Sequence, residues 1–564
     1  MVETIFKTFI DKIYIYVWET PTEFPWLVIL LLGSGIYITF RMGWINIRQF
    51  KHAVNVIRGH YDNPADEGDI NHFQALTTAL SATVGIGNIA GVAIAIHYGG
   101  PGTIFWLWMS GIFGMTLKYA ECTLALKYRT FDDKGNASGG PMYYIEKGLG
   151  SKWKWMGILF ACLTIVGSFG SGNMNQSNTV AVSAAADFQT PDWIVGLILT
   201  TLVAMVILGG IRRIGAVSSR LMPAMAIVYV LAAISILLGN LPQLPELFIS
   251  IVTEAWKPKA AFGGTAAGIW HFTLLWGIKR ALFSNEAGQG SAPIAHAAAK
   301  TKEAVREGVV AMVGPFVDTL LICTITGLVV LVTGVWKDKK EEVRFLDLNK
   351  MSVYADPGFS VNDRYLHEPT GDPLQHFEGT TRVDSGKALR VLFEVNDGFV
   401  DNALLFMDGK PYEGSFVVEG TSLKDVEGNN LRLDLHGRAF QNSSALTAWA
   451  FQIGFSRLGL GKFGNYIVTI CVFLFALSTI ISWSYYGDRS VEYLFGVKYV
   501  MIYRGVYVCF TYLGSVLALE TVWTYGDVAL GSMCVPNLIA VILLSPRLVE
   551  FTKEYFSREH KRYK

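Results

Sequence analysis

In the apolar segment 74–98 the chain reads Ala79-Leu-Ser-Ala-Thr-Val-Gly-Ile-Gly-Asn-Ile-Ala-Gly-Val-Ala93. Glycines at this density weaken a helix by about 1 kcal/mol each relative to alanine, so another interaction must offset the loss. Two interpretations follow. The glycines either allow close packing of small residues against a neighbouring helix, or they mark a broken helix whose free amides and carbonyls bind ligands.

A second apolar segment, 264–297, has a similar interruption and reads Lys279-Arg-Ala-Leu-Phe-Ser-Asn-Glu-Ala-Gly-Gln-Gly-Ser-Ala-Pro293. Two glycine-interrupted helices at corresponding positions are typical of an inverted repeat with a binding site near the membrane midplane. The two segments are the second and the seventh predicted spans. Because five is an odd offset, the two helices run in opposite directions, and the pair favours broken helices over packing alone.

Composition places the chain among membrane proteins. It has 564 residues, of which 51% are hydrophobic and 16% charged, whereas soluble domains have about 25% charged residues. A spanning helix needs an apolar run of about 18 residues or more. Eleven spans are predicted near 25–40, 74–98, 103–126, 155–186, 193–211, 220–239, 264–297, 309–335, 462–486, 499–519 and 523–545.

The distribution of Lys and Arg predicts the orientation of these spans. Basic residues follow each odd-numbered span, for example Arg41, Arg48, Lys51 and Arg58 after the first and Lys300, Lys302 and Arg306 after the seventh. Cytoplasmic loops carry this excess of positive charge. The sequence therefore predicts a multi-pass protein of the bacterial inner (plasma) membrane, with the N-terminus outside and the C-terminus in the cytoplasm.

The polar stretch 337–444 separates two transmembrane parts, 1–336 and 445–564, and the same rule places it outside. It contains period-two runs, Arg390-Val-Leu-Phe-Glu-Val395 and Ser415-Phe-Val-Val-Glu419, and turn signals at Asp397-Gly398 and Asp408-Gly409. These features predict a small β-rich insertion. Two roles stay open for it, a surface decoration or a partner-binding or sensing module, and its partner is unknown.

Three further groups of polar residues lie at membrane depth. The fourth span reads Gly170-Ser-Gly-Asn-Met-Asn-Gln-Ser-Asn178, in which Gly172 and Gln176 share a helix face. Such amides either bond across helices or face a substrate, because unsatisfied polar groups in lipid are costly. In the ninth span Ser478 and Thr479 offer hard oxygens that suit sodium, although hydroxyls also bond to carbonyls of their own helix. Glu286 is either an ion-coupling residue or the structural partner of Arg280 or Lys279.

The two interrupted segments resemble those of the alanine/glycine:cation symporters. The resemblance extends to Gly139-Gly-Pro-Met-Tyr143, Gly172-Asn-Met174 with Gln176, and Ser482-Trp-Ser-Tyr-Tyr-Gly487. It implies an all-α, leucine-transporter-like fold of two inverted five-helix repeats plus one extra N-terminal helix. It also implies sodium-coupled symport of alanine or glycine into the cytoplasm by alternating access, with membrane lipid around the helices and no nucleic-acid partner. The insertion departs from the family pattern.

The resemblance also assigns roles to individual residues. It implies a sodium site at the carbonyls of Ser81 and Val84 and the hydroxyls of Ser478 and Thr479. The substrate carboxylate would bind amides at a half-helix N-terminus, where the dipole favours an anion. The implied substrate pocket comprises Thr83, Gly85, Ile86, Gly87, Gly172, Gln176, Phe283, Ser284 and Trp483, with Phe283 and Trp483 leaving room for little more than a methyl group. Asn88, with Thr83, matches a second sodium position of some relatives.

Other classes of protein fit less well. An ATP-driven pump would need the motif G-x-x-x-x-G-K-[ST], which the chain lacks. An intramembrane enzyme would have to use His97, His271, His296 or Glu286, and no nucleophile is arranged with them in a recognisable way, so the chain is predicted not to be an enzyme. Proton coupling through Glu286 and an amino-acid sensor on a transporter scaffold remain as alternatives to sodium symport.

Overall fold

The computed structural model describes residues 10, 12–21, 25–63, 65–132, 135–256, 270–345, 351–356, 375–395, 398–420, 422–457, 459–517 and 519–563. The fold is predominantly helical. The helices before the second interruption are α1 (Trp26–Arg41), α2 (Phe50–Ile57), α3 (His72–Thr83), α4 (Val92–Gly99), α5 (Gly102–Lys127), α6 (Pro141–Leu149), α7 (Lys154–Phe169), α8 (Asn175–Phe188), α9 (Asp192–Ile207), α10 (Gly210–Leu238), α11 (Leu244–Glu254) and α12 (Trp270–Asn285). Those after it are α13 (Ala292–His296), α14 (Ala304–Ala311), α15 (Thr324–Thr333), α16 (Ser443–Ser456), α17 (Gly461–Phe495), α18 (Val500–Val516) and α19 (Leu519–Phe556).

Several of these helices can cross a membrane. Within the described residues, five segments are long and apolar enough, namely Ser151–Phe188, Gly210–Leu238, Ala304–Thr333, Phe463–Phe495 and Thr524–Phe556. A sixth qualifies as a bent pair, His72–Thr83 with Gly87–Gly99, at an angle of 54°. The chain is therefore a polytopic membrane protein, while the total of eleven spans stays a prediction.

The predicted interruptions are confirmed. Helix α3 starts with a capping box between Asn71 and Gln74 and ends at Val84, and a π-helical turn, Gly87–Gly91, leads into α4. The second interruption lies between α12 and α13, where Gly288 and Gly290 have φ of 89° and 84°. Only glycine adopts such angles readily. Two more π-helical turns, Gly170–Met174 and Phe316–Cys323, were not predicted.

The two breaks are joined on the side of the basic loops by a buried cluster. His72 at the start of α3 and His296 at the end of α13 each place Nδ1 against one oxygen of the Glu307 carboxylate. All three side chains are buried. The backbone adds to this junction, because the carbonyl of Ala298 accepts hydrogen bonds from Asp69 and Ile70. The first turn of α3 is therefore held against α13 and α14.

The described residues between Lys340 and Ala439 form mainly strands, which confirms the predicted β character of this stretch. They are β3 (Lys340–Phe345), β4 (Ser352–Ala355), β5 (Gly379–Asp384), β6 (Lys387–Ala388), β7 (Val391–Val395), β8 (Gly398–Phe399), β9 (Asp401–Met407), β10 (Lys410–Pro411), β11 (Gly414–Glu419), β12 (Ser422–Lys424) and β13 (Asp434–Ala439), after a short pair β1 (Thr130–Phe131) and β2 (Ala137–Ser138) near α6. The predicted turn at Asp408-Gly409 joins β9 to β10, with left-handed φ at both residues. Asp397 lies outside the described residues.

The strands form three antiparallel sheets, in the orders β10-β9-β13-β3, β12-β11-β5-β6 and β4-β7-β8. The first strand, β3, pairs with the last, β13, so that Lys340 lies opposite Ala439. A separate apolar cluster, which includes Phe393, Leu405 and Phe416, fills the space between the strands. The chain thus leaves and rejoins the helical part at neighbouring points. The domain limits 337 and 444 remain predictions.

Candidate substrate and cation site

The end of α3 brings together oxygens from two distant parts of the chain. The carbonyl of Ser81 accepts hydrogen bonds from Ser478 Oγ at 3.2 Å and from Thr479 Oγ1 at 3.1 Å. Helix ends leave their last carbonyls without intrahelical partners, and the break after α3 exposes such carbonyls at membrane depth. Ser478 Oγ also lies 2.9 Å from the carbonyl of Phe475 in its own helix. The Ser478 hydroxyl therefore both faces the break, where a cation could bind, and bonds to a carbonyl of its own helix.

The amides at the break face side-chain oxygens. The amide of Gly85 donates to Asn88 Oδ1 at 2.9 Å, and the amide of Ile86 lies 3.5 Å from Gln176 Oε1. Gln176 is held by its own amide, which donates to the carbonyl of Ser171 at 3.1 Å. The Gln176 side chain therefore faces the break. The sequence alone left open whether it bonds across helices or faces a substrate. A small carboxylate could replace these side-chain oxygens as the acceptor.

The glycines allow close approach as well as the break. A Cβ on Gly85 would lie 2.6 Å from Thr479 Oγ1, and a Cβ on Gly87 would lie 3.0 Å from Phe283 Cδ1. A Cβ on Gly172 would lie 2.4 Å from Trp483 Cγ. Packing and helix breaking are thus not alternatives here, because the glycines serve both.

The first break also contacts the helix that ends at the second break. Asn88 Nδ2 donates to Ser284 Oγ at 3.0 Å and to the carboxylate of Asp318. Asp318 is fully buried in the π-helical turn Phe316–Cys323, and its Oδ2 accepts from Ser284 and Thr319, each at 2.8 Å. Asp318 was missed in the sequence analysis. The signal was present, because Asp318 is an acidic residue within the apolar segment 309–335, and the same kind of signal singled out Glu286 in segment 264–297.

Two of the predicted residues make only local or structural contacts. Thr83 Oγ1 lies 3.3 Å from the carbonyl of Leu80 in the preceding turn. Val84 is buried at the end of α3. Their roles at a cation or substrate site remain predictions.

Glu286 does not pair with Arg280 or Lys279, which corrects one of the two interpretations of this residue. The Lys279 ammonium bonds to the Tyr14 hydroxyl, and the Arg280 guanidinium stacks over the Trp276 ring at 5.3 Å. Glu286 Oε1 instead accepts a hydrogen bond from Trp483 Nε1 at 3.0 Å. The side chains of Lys279 and Arg280 on α12 therefore have partners other than the Glu286 carboxylate, which lies within the break.

A polytopic helical protein with two broken helices meeting around buried hydroxyls, amides and carboxylates has the architecture of a secondary transporter. Comparison with known sequences identifies one family over most of the chain. The sequence model of the sodium:alanine symporter family matches residues 3–355 and 435–564, and this chain belongs to that family. It is accordingly a transporter and not an enzyme. The unmatched residues 356–434 fall within the strand-rich stretch.

Individual relatives cover nearly the whole chain. The sodium/alanine symporter AgcS of Methanococcus maripaludis is 37% identical over 98% of this chain and 97% of its own length. The amino-acid carrier protein AlsT of Bacillus subtilis is 29% identical over 95% of this chain and 90% of its own. A protein of the same organism named probable sodium/glutamine symporter GlnT is 31% identical over 94% and 87%. The relatives thus carry names with different amino-acid substrates.

Proposed function

We propose that the protein is a sodium-coupled symporter that carries alanine or glycine into the cytoplasm by alternating access. The observation that carries this proposal is the convergence of the Ser478 and Thr479 hydroxyls on the Ser81 carbonyl at the end of α3. Sodium is a hard cation that binds oxygen ligands. Neutral hydroxyls and a carbonyl at a helix end suit a sodium ion, whereas a proton carrier needs a titratable group.

The substrate would bind next to this cation. Its carboxylate would accept hydrogen bonds from the backbone amides of Gly85, Ile86 and Gly87, at the positive end of the half-helix that continues into α4. Gln176 and acceptors near Phe283 and Ser284 would bind the amino group, and Phe283 and Trp483 would limit the side chain. Gly85 lies between the two sites, because a Cβ there would reach both Thr479 and Gln176. A cation and a substrate that stabilise the same occluded state are coupled.

The remaining parts of the proposal concern topology. The helices would form two inverted five-helix repeats of the leucine-transporter-like type, preceded by one extra helix, in a bacterial plasma membrane. The N-terminus and the strand-rich stretch would lie outside and the C-terminus in the cytoplasm. The bend of 54° in the first broken helix and the interruption after α12 support the repeat.

Proton coupling is the second candidate, and Asp318 is the observation that favours it. This carboxylate is buried and bonded to the neutral donors Asn88, Ser284 and Thr319. A buried ionised carboxylate is unfavourable unless a cation compensates it. The buried Lys118 acts on Asp318 electrostatically without forming an ion pair, and a proton or a second sodium ion at Asp318, beside Asn88, would supply a positive charge in direct contact.

The experiment is uptake of labelled alanine into proteoliposomes under an inward gradient of sodium, potassium or protons. Sodium-driven accumulation is expected, and Ser478→Ala and Thr479→Ala should each lower the apparent sodium affinity. Ser484→Ala is the matched control, because this buried hydroxyl on α17 bonds, among the described residues, only to the carbonyl of Ile481 in its own helix. Proton-driven accumulation would move the coupling site to a carboxylate, and binding without accumulation would indicate a sensor.

A further inference from the structure

Glu286 occupies an unusual position in the second helix break. It follows the last residue of α12, its φ is 55°, and it is 3% exposed. Residues other than glycine, asparagine and aspartate are uncommon at left-handed angles. Glycines occupy the two other left-handed positions of this loop, Gly288 and Gly290. A glutamate in this strained conformation indicates that its side chain has a task there.

The carboxylate of Glu286 has two neutral partners. Oε1 accepts from Trp483 Nε1 at 3.0 Å, and Oε2 accepts from the Ser291 hydroxyl. Among the residues that the structure describes, no Lys or Arg lies within ion-pair distance of it. The buried Lys118 acts on it electrostatically but forms no ion pair with it. The contacts are those of a hydrogen-bond acceptor that orients a neighbouring group.

The neighbour that it orients is a wall of the proposed substrate pocket. Trp483 is 1% exposed, and its indole lies so close to Gly172 that a Cβ there would be 2.4 Å from Trp483 Cγ. Thr479, which bonds to the Ser81 carbonyl, precedes Trp483 by one turn on α17. Residues four apart on a helix share a face, so the indole and the hydroxyl of the proposed cation site point to the same side.

We propose that Glu286 is a positioning residue for substrate selectivity. Its carboxylate holds the indole of Trp483 against Gly172 and thereby sets the width of the pocket. A buried indole N–H requires an acceptor, and Glu286 supplies it from the second helix break. The inference rests on the proposed function, because it takes Trp483 to be a pocket wall. It extends that function by assigning the width of the pocket to a residue outside it.

The same bond has a conformational consequence. It ties the loop between α12 and α13 to α17, which carries the two hydroxyls of the proposed cation site. Movement of the indole away from Gly172 breaks this bond unless the loop moves with it. The pocket therefore keeps its narrow form while the second break keeps the geometry seen here.

The test compares four variants with the unmodified transporter in proteoliposomes: Glu286→Gln, Glu286→Ala, Trp483→Phe and the double variant Glu286→Ala/Trp483→Phe. The readout is kcat/KM for alanine relative to 2-aminobutyrate, which is one methylene longer. Glutamine retains an acceptor oxygen for the indole, so Glu286→Gln should keep the preference for alanine within about twofold. Glu286→Ala and Trp483→Phe should each lower it by about tenfold, the lower end of what a methylene contributes in an apolar pocket.

The double variant separates positioning from two independent effects. If Glu286 acts through the indole, the double variant is no less selective than Trp483→Phe alone, because coupled residues are not additive. Tyr486→Phe is the matched control: the ring packs on Trp483 at 5.2 Å, and the hydroxyl has no hydrogen-bond partner among the described residues. This variant should keep the selectivity of the unmodified protein.

Three outcomes would overturn the proposal. The first is loss of ion-driven accumulation in Glu286→Gln with alanine binding intact, which would make Glu286 an ion carrier. The second is unchanged selectivity in Glu286→Ala. The third is additive losses of selectivity in the double variant. A chain that shows no uptake at all contradicts the proposed function instead. The selectivity series is then measured by competition between alanine and 2-aminobutyrate in equilibrium binding, which tests Glu286 separately. If Glu286→Ala does not fold, Glu286→Gln and Trp483→Phe still decide between an acceptor and a carrier.

Discussion

Gly85→Ala tests the geometry of the proposed cation site with a single methyl group. The added Cβ would lie 2.6 Å from Thr479 Oγ1 and 3.3 Å from Gln176 Oε1. A contact under 3.0 Å forces one partner to move, and Thr479 is β-branched, so its hydroxyl has few alternative rotamers. Overpacking of this kind costs about 1–3 kcal/mol. If this cost appears as weaker binding of sodium to the displaced oxygens, the apparent sodium affinity falls by about 5- to 150-fold.

The assay is the sodium concentration that gives half-maximal alanine uptake in proteoliposomes. Gly91→Ala is the matched control, because its Cβ would meet Arg280 Cδ at 3.8 Å, an ordinary van der Waals distance. Both positions lie in or beside the same break. Thermal unfolding shows whether Gly85→Ala is folded. An unchanged sodium concentration for half-maximal uptake in the folded variant would refute the reasoning.

Three further predictions follow from the same structure. Asp318→Ala removes an acceptor shared by Asn88, Ser284 and Thr319. Asn88 keeps Ser284 Oγ as a partner, so thermal stability should fall by about 1–3 kcal/mol for each donor that is left unsatisfied. Asp318→Asn should lose less, and equal losses would contradict a role as acceptor. Glu307→Ala should likewise lower the unfolding temperature, because two buried imidazoles lose one carboxylate; an unchanged temperature would show that they do not depend on it. Replacing 341–438 by a short Gly/Ser linker should preserve sodium-driven uptake, because Lys340 and Ala439 are cross-strand neighbours, and loss of uptake in a folded variant would give the insertion a role in transport.

Much of the architecture follows from local chemistry in the sequence. Glycine density and a proline in apolar segments predicted both helix breaks, because these residues destabilise helices wherever they occur. Alternation of apolar and polar residues predicted strands β7 and β11 for the same local reason. The short helices α11 and α16 were missed as elements, since neither is long enough to form a span by the length criterion.

The contacts within the site depend on the whole fold. The sequence contains both hydrogen-bond partners of the Glu286 carboxylate, Trp483 and Ser291, but the cations nearest to it along the chain, Lys279 and Arg280, were the more obvious choice. Trp483 lies 197 residues away, and only the packing of α17 against the second break brings it within hydrogen-bond distance. Asp318 was missed for a different reason, since its segment carries no glycine motif that would draw attention to it. Tertiary packing decides which polar residues at membrane depth meet.

The central claim is that sodium and the amino acid bind at one break and stabilise one state. Calorimetry on the purified protein tests it by measuring alanine affinity with and without sodium, and sodium affinity with and without alanine. Because coupling between two ligands is reciprocal, both affinities should rise by the same factor, and Ser478→Ala/Thr479→Ala should bring that factor close to one. Alanine binding that is independent of sodium in the unmodified protein would contradict the claim.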